Sequence, residues 1–443
     1  MLVGVLTGLL SLIAWLHPPA SMLLRPQQVR IAWTERPNEI SVMWTSWLPL
    51  VFPELQYAVP GGEWKSLTPE TSIFFKNLKY DIFFEVLYTA IVPELHADVY
   101  YDFRVGQGPY FWSSVFSFRG LTPPAAQQPC VAILGDMGIG PYSLPTRTYL
   151  LDLISNHTLH AIIHLGDIGY DLERHMGGTA DKFLREIEPI ASQVPYMVVP
   201  GNHEHKQNFT HYSHLFRMPR NSASGSSNFF YSFDLGAAHF IALNAEAYFY
   251  LPPACAQTQY NWLVEDLEQA NARRELVPWI FVLTHKPLYC QVDFRRPMEE
   301  SKAFKCNYDC DHECKLLRGE WEDLFNRYSV DIIFGAHMHD YERELPVYHN
   351  LTVPSDFDLP HFHRNPNAQI SILTGTAGSD HLHDALSATK QLWNAAYTDA
   401  YGFGLLYVYN SSHIRWEEWD SERRELVDYV EVEKTRPRYL PSA

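Results

Sequence analysis

Five short blocks of the sequence end an apolar run with side chains that bind cations: GDMG (135–138), GDIGY (166–170), GNHE (201–204), VLTH (282–285) and AHMH (336–339). They deliver Asp136, Asp167, Tyr170, Asn202, His203, His285, His337 and His339. A single polar ending is ordinary, because Asp and Asn favour the turn after a strand. Repeated over five blocks, with Gly before the polar residue in three of them, the pattern exceeds what turn caps explain. Carboxylate, phenol, amide and imidazole together describe a metal site. With His203 set aside, seven candidate ligands remain, too many for one catalytic ion that keeps an open position. They divide between two ions. Asp136, Tyr170 and one His form a hard, anionic set suited to trivalent iron, whereas Asn202 and two His suit a divalent ion. Asp167 is placed to bridge them, and two such ions clamp the attacking and leaving oxygens in hydrolysis.

The elements that must position these residues are legible in the same runs. CVAILGDMG, HAIIHLGD, PYMVVPGNH, PWIFVLTHKP and VDIIFGAHMH are apolar enough for strands buried on both faces. DKFLREIEPIA, QYNWLVEDLEQANARR and EWEDLFNRY carry apolar residues three or four apart and predict helices between them. That alternation signals an α/β domain, in which ligands gather outside the carboxyl ends of the strands. AQISILTG adds a sixth apolar run, and the tail around GFGLLYVYN and HIRWEEW reads as β.

Residues 25–119 have a different texture. QVRIAWT, EISVMWTSW, ELQYAV, DVYYDFRVG and SSVFSFRG are short, alternating segments separated by turn signals, which predicts a small β-sandwich. Residues 120–129 are Pro/Ala/Gln-rich and read as a linker, leaving 130–443 for the α/β domain and its β-rich tail. Residues 1–24 read as a signal peptide. Their apolar stretch, Leu2 to Leu16, is short for a membrane span, so no stable span is expected in the mature protein. Sequons at Asn156, Asn208, Asn350 and Asn410 fit a glycosylated, secreted protein, lysosomal or extracellular.

A net charge of −17 excludes a nucleic-acid backbone or an anionic membrane as the main partner. An acidic surface still accommodates a cationic metal site that binds anions. Of the six cysteines, Cys290 is expected to pair with Cys306, Cys310 or Cys314, and Cys130 reads as a buried thiol. The stretch CNYDCDHEC lacks the two-residue Cys spacing of common structural zinc sites.

In order and spacing, the five blocks and the following DYER (340–343) resemble the purple acid phosphatase family of metallophosphoesterases. The N-terminal segment is similar to the fibronectin III-like domain of its long members, and the animal branch is the better match. The resemblance implies an acid phosphatase that hydrolyses phosphate monoesters, small or protein-borne, with a metal-bound hydroxide as nucleophile. It further implies that Asp136, Asp167, Tyr170 and His339 hold Fe(III). Asp167, Asn202, His285 and His337 would hold Fe(II), Zn(II) or Mn(II). Asn202 and His203 would contact the phosphate, with His203 protonating the leaving group. Tyr170 disfavours a phosphodiesterase of the wider superfamily, and the complete ligand set disfavours a degenerate binding protein.

Two departures stand out. Ala336 replaces a common Gly, and KPLYCQVDFRRPMEE (286–300) contains no counterpart of the substrate-binding His pair of plant-type members. Glu204 is an alternative acid if its pKa is raised. His211, His214, His381 and His383 read as ordinary surface or loop histidines, and Arg295 and Arg296 as solvated.

Overall fold

The structure is a computed structural model, described over residues 23–76, 84–120, 128–221, 223, 227–291, 310–380 and 391–436. Most of the leader, segment 121–127, Arg295, Arg296, Cys306, His381 and His383 lie outside the described residues.

The N-terminal part is a two-sheet sandwich. Its strands are β1 (Gln27–Trp33), β2 (Ile40–Ser46), β3 (Glu54–Ala58), β4 (Lys65–Leu67), β5 (Glu70–Phe75), β6 (Phe84–Val92), β7 (Tyr100–Gln107), β8 (Phe111–Trp112) and β9 (Phe116–Arg119). One sheet runs β1-β2-β6-β5; the other runs β4-β3-β7-β8, with β9 also pairing β7. Trp44, Tyr88, Leu55 and Phe103 are buried between them. The five expected segments all form strands. Sequence patterning had not singled out β5 and β6, although β6 lies between β2 and β5.

The second part holds two larger sheets. Its strands begin with β10 (Cys130–Leu134), β11 (Ala161–His164), β12 (Tyr196–Val198), β13 (Tyr231–Leu235), β14 (Ala238–Ala242), β15 (Trp279–Leu283) and β16 (Ile332–Gly335). They continue with β17 (Tyr341–Glu344), β18 (Val347–Tyr348), β19 (Leu351–Thr352), β20 (Phe357–Leu359), β21 (Phe362–Arg364) and β22 (Ile370–Thr374). The last are β23 (Asn394–Thr398), β24 (Gly402–Val408), β25 (His413–Asp420) and β26 (Glu425–Glu433). One sheet is ordered β12-β11-β10-β24-β25-β26-β21-β20 and the other β13-β14-β15-β16-β22-β17-β23. Strands β10, β11 and β12 run parallel, as do β14, β15, β16 and β22.

Alternate residues explain the layering. Trp279, Phe281 and Leu283 of β15 join the core between the sheets with Leu134, Ile163 and Trp416. Ile280 and Val282 face the other way, against Trp262 and Leu267 of helix α1 (Pro253–Ala272) and Trp321 and Phe325 of α2 (Cys310–Arg327). Helices Ser143–Ser155 and Gly178–Ala191 contribute Leu150, Phe183 and Ile187 to the first core. The tail does not form a separate unit: β24 pairs with β10, and Trp416 packs on Phe334 with centroids 5.0 Å apart. The five block-bearing runs are β10, β11, β12, β15 and β16, and their carboxyl ends converge on one edge.

Candidate metal centre

Register brings the blocks together. Leu134 pairs with His164, and His164 with Val198, so Asp136, Asp167 and Asn202 leave neighbouring strands at one level. Leu283 pairs with Phe334, which sets His285 beside the block carrying His337 and His339. Four of the seven candidates have left-handed backbones: Asp136 (φ 59°), Asp167 (φ 49°), Tyr170 (φ 58°) and His337 (φ 77°). Such conformations cost free energy in non-glycine residues and cluster where function demands them. Gly166 (φ 86°) is required for a second reason, since a Cβ there would lie 2.7 Å from both the Gly201 nitrogen and His285 Nδ1.

One group joins Asp136, Tyr170 and His339. The Tyr170 hydroxyl lies 3.1 Å from Asp136 Oδ1 and 2.9 Å from His339 Nε2. Burial, and then the Asp136 charge, hold the metal-free phenol well above its usual range. Asp136 Oδ2 accepts the His337 amide at 2.8 Å, which ties this group to the next.

The second group joins Asp167, Asn202, His285 and His337. His285 Nε2 lies 3.0 Å from Asn202 Oδ1, 3.4 Å from Asp167 Oδ1 and 3.3 Å from His337 Nδ1. Its Nδ1 donates to the Leu165 carbonyl at 2.7 Å, the arrangement that aims the other imidazole nitrogen at a metal. Burial opposes a proton on His285, yet Asp167 lifts it to about 10. Ligand atoms of Asp167, His285 and His337 all lie within 4.8 Å of one another. Buried hard oxygens together with inward-facing nitrogens fit metal ions.

His203 stands beside both groups. Its amide donates to Asp167 Oδ1 at 2.8 Å, and its Nδ1 lies 2.9 Å from Asp171 Oδ1. Burial works against a proton, but Asp167 and the bonded Asp171 raise the imidazole to about 9. Glu204 is corrected as an alternative acid. Burial, then Asp167, pushes its carboxyl up to about 8, but its oxygens are turned inward. They accept the amides of Gly201 (2.9 Å), Asp167 (2.9 Å) and Ile168 (3.0 Å), pinning the second block to the third.

Ala336 is accommodated opposite Gly135, where a Cβ would meet the Ala336 methyl at 2.3 Å. His211 is also corrected: it is buried edge-on against Phe74 of the sandwich, while His214 stays exposed and stacks on the same ring. Burial pushes His211 down to about 4. The buried Cys314 Sγ lies 3.5 Å from that of Cys290, too far for a disulfide bond, and donates to the Pro287 carbonyl at 3.2 Å, which counts against it as the partner of Cys290. Sequence reasoning missed Asp171 and Glu313. Asp171 directly follows Tyr170, while Glu313 sits inside the stretch weighed only for its cysteines.

Three family descriptions match the chain in order: "Purple acid Phosphatase, N-terminal domain" (26–120), "Calcineurin-like phosphoesterase" (131–341) and "Iron/zinc purple acid phosphatase-like protein C" (368–429). Acid phosphatase type 7 of Homo sapiens is 32% identical over 92% of this chain and 90% of its own length. The chain belongs to the purple acid phosphatase family. Acid phosphatase type 7 of Danio rerio is 31% identical, covering 93% of this chain and 92% of its own. A purple acid phosphatase from yellow lupin seeds shares the fold, with a TM-score of 0.77 at 22% identity over 93% of this chain and 74% of that one. This purple acid phosphatase is a phosphatase hydrolase of the animal type, and its family implies a binuclear iron/zinc centre acting on phosphate esters.

Proposed function

We propose that Asp136, Asp167, Tyr170 and His339 hold Fe(III), and that Asp167, Asn202, His285 and His337 hold a divalent ion, with Asp167 shared. The observation that carries this reading is the convergence of His285 Nε2, Asn202 Oδ1, Asp167 Oδ1 and His337 Nδ1 at 3.0–3.4 Å, beside the Tyr170–Asp136–His339 group. Bound there, the ions supply Lewis acidity toward the phosphoryl group and an activated water. The substrate is a phosphate monoester, oriented by Asn202 and His203. Asp171 fixes the His203 ring at Nδ1, which leaves Nε2 to carry the proton. As the P–O bond breaks, that proton passes to the leaving oxygen.

Secretion through the oxidising pathway, with glycans at Asn156, Asn208, Asn350 and Asn410, completes the reading. All four asparagines are exposed. A bridge from Cys290 to Cys306 or Cys310 belongs to it, supported by the disulfide state of Cys290 and by the Cys314 thiol. Among the described residues, no helix is long and apolar enough to cross a membrane. The test is turnover of an aryl phosphate monoester and the matching diester by purified, iron- and zinc-loaded protein. Monoester cleavage at acidic pH is expected. Preference for the diester, or no turnover of either, would overturn the proposal.

A further inference from the structure

Glu313 reaches the second group of candidate ligands from the first turn of α2, from a stretch of sequence that holds no ligand block. Its Oε2 lies 3.1 Å from His337 Nε2, on the side of the ring opposite the nitrogen that faces His285. Lys286 is fully buried, follows His285 directly, and places Nζ 3.0 Å from Glu313 and 3.2 Å from His337 Nε2. Glu246, also fully buried, lies 3.9 Å from the same ammonium.

These contacts set up a choice between two tautomers. An ammonium donating to His337 Nε2 would leave the ring hydrogen on Nδ1, where it blocks a cation. A carboxylate accepting from Nε2–H has the opposite effect and leaves the Nδ1 lone pair bare. Both donor and acceptor are within reach of Nε2, so the carboxylate must prevail for His337 to serve as a ligand. Lys286 then balances the Glu313 charge in a site that water does not reach freely.

We propose that Glu313, braced by Lys286, is a positioning residue that holds His337 in the Nε2–H tautomer and thereby sets the affinity of the second metal site. This rests on the two-ion reading above. It assigns a role to the region after the fourth block, where plant-type members place their His pair.

The test is a titration of the metal-depleted full-length protein with Zn(II) against a chromophoric chelator, which resolves each binding step without reference to activity. Wild type is expected to bind two ions. Glu313→Gln is expected to weaken one step by about 10–100-fold and leave the other unchanged, the usual effect of removing a histidine's outer partner. Glu320→Gln, an exposed carboxylate on the same helix, should match wild type. Glu313→Asp keeps the charge on a shorter arm, so it should lose less at the same step; it carries the test if the Gln variant fails to fold. Two Zn(II) bound with wild-type affinity by folded Glu313→Gln, or by Glu313→Asp where only that variant folds, would overturn the inference. Fewer than two ions bound by wild type would instead overturn the two-ion reading itself.

Discussion

His285 is a fully buried and His203 a partly buried imidazole beside Asp167, and their second nitrogens give them different duties. His285 donates Nδ1–H to a backbone carbonyl and turns Nε2 into the cluster, as a ligand does. His203 binds a carboxylate at Nδ1, which stabilises its protonated form. Changing His285 to Ala should therefore remove mainly the divalent ion and nearly all activity. His203→Ala should keep both ions and lose about 10²–10⁴-fold in kcat, the range for general acid–base groups. Metal analysis and kinetics on the two variants separate these outcomes; full activity in His203→Ala would contradict its role. All seven candidate ligands could be named from the sequence because each lies within six residues of the end of a strand. Asp171 and Glu313 could not, because only tertiary packing decides which carboxylate meets the outer nitrogen of an imidazole.

At the scale of elements, buried polar groups tie neighbouring strands and helices together. Glu204 clamps the turn after β11 to the turn after β12, a role invisible in GNHE, where it reads as one more polar residue. His239 of β14 lies between Asp234 of β13 (2.6 Å) and Asp266 of α1 (2.9 Å). Burial opposes its charge, but the two carboxylates raise it to about 9. An unfolded His titrates near ~6.5, so the folded state binds this proton more tightly. The resulting stabilisation is full below pH ~6.5, fades through the interval and is lost above pH about 9. Urea unfolding across that range should show falling stability in wild type and a flatter profile in His239→Gln. Identical profiles would contradict the account. Helical and strand patterns predicted α1, the second half of α2 and the parallel strands other than β14, whose AHFIA (238–242) the patterning did not single out. Helix Ser143–Ser155 was missed because SLPTRTYLLDLIS opens with Ser, Pro and Thr and has only a weak apolar stripe.

For the whole molecule, the sandwich is a buttress for the site. β1 packs on helix Gly178–Ala191, with Gln28 reaching Asp181 at 3.1 Å and the Val29 amide reaching Glu188 at 3.0 Å. It also lies near β12, the edge strand that delivers Asn202 and His203, and so shields an edge that would otherwise be open. Lys76 of the sandwich is buried between Glu85 (3.2 Å) and Asp181 (2.5 Å). Lys76→Met would strand two buried carboxylates, and breaking such a pair typically costs ~3–5 kcal/mol. A fall of that size in unfolding free energy is expected, whereas a change within ~0.5 kcal/mol, the range of ordinary surface substitutions, would show that the interface does not need the pair. Two β-rich regions were legible in the sequence, but not the way the tail β24–β26 extends the first catalytic sheet, because strand pairing at long range leaves no local pattern.

The central claim is that Tyr170 and its neighbours hold ferric iron in a two-ion phosphatase centre. Elemental analysis of the purified protein, with its visible spectrum recorded beside that of Tyr170→Phe, tests this most directly. A ferric ion stabilises the phenolate, and charge transfer from phenolate to iron absorbs visible light. The account predicts two metal ions per chain, one of them iron, a purple or pink wild type, and a bleached Tyr170→Phe. A colourless, fully active wild type containing no iron would contradict it.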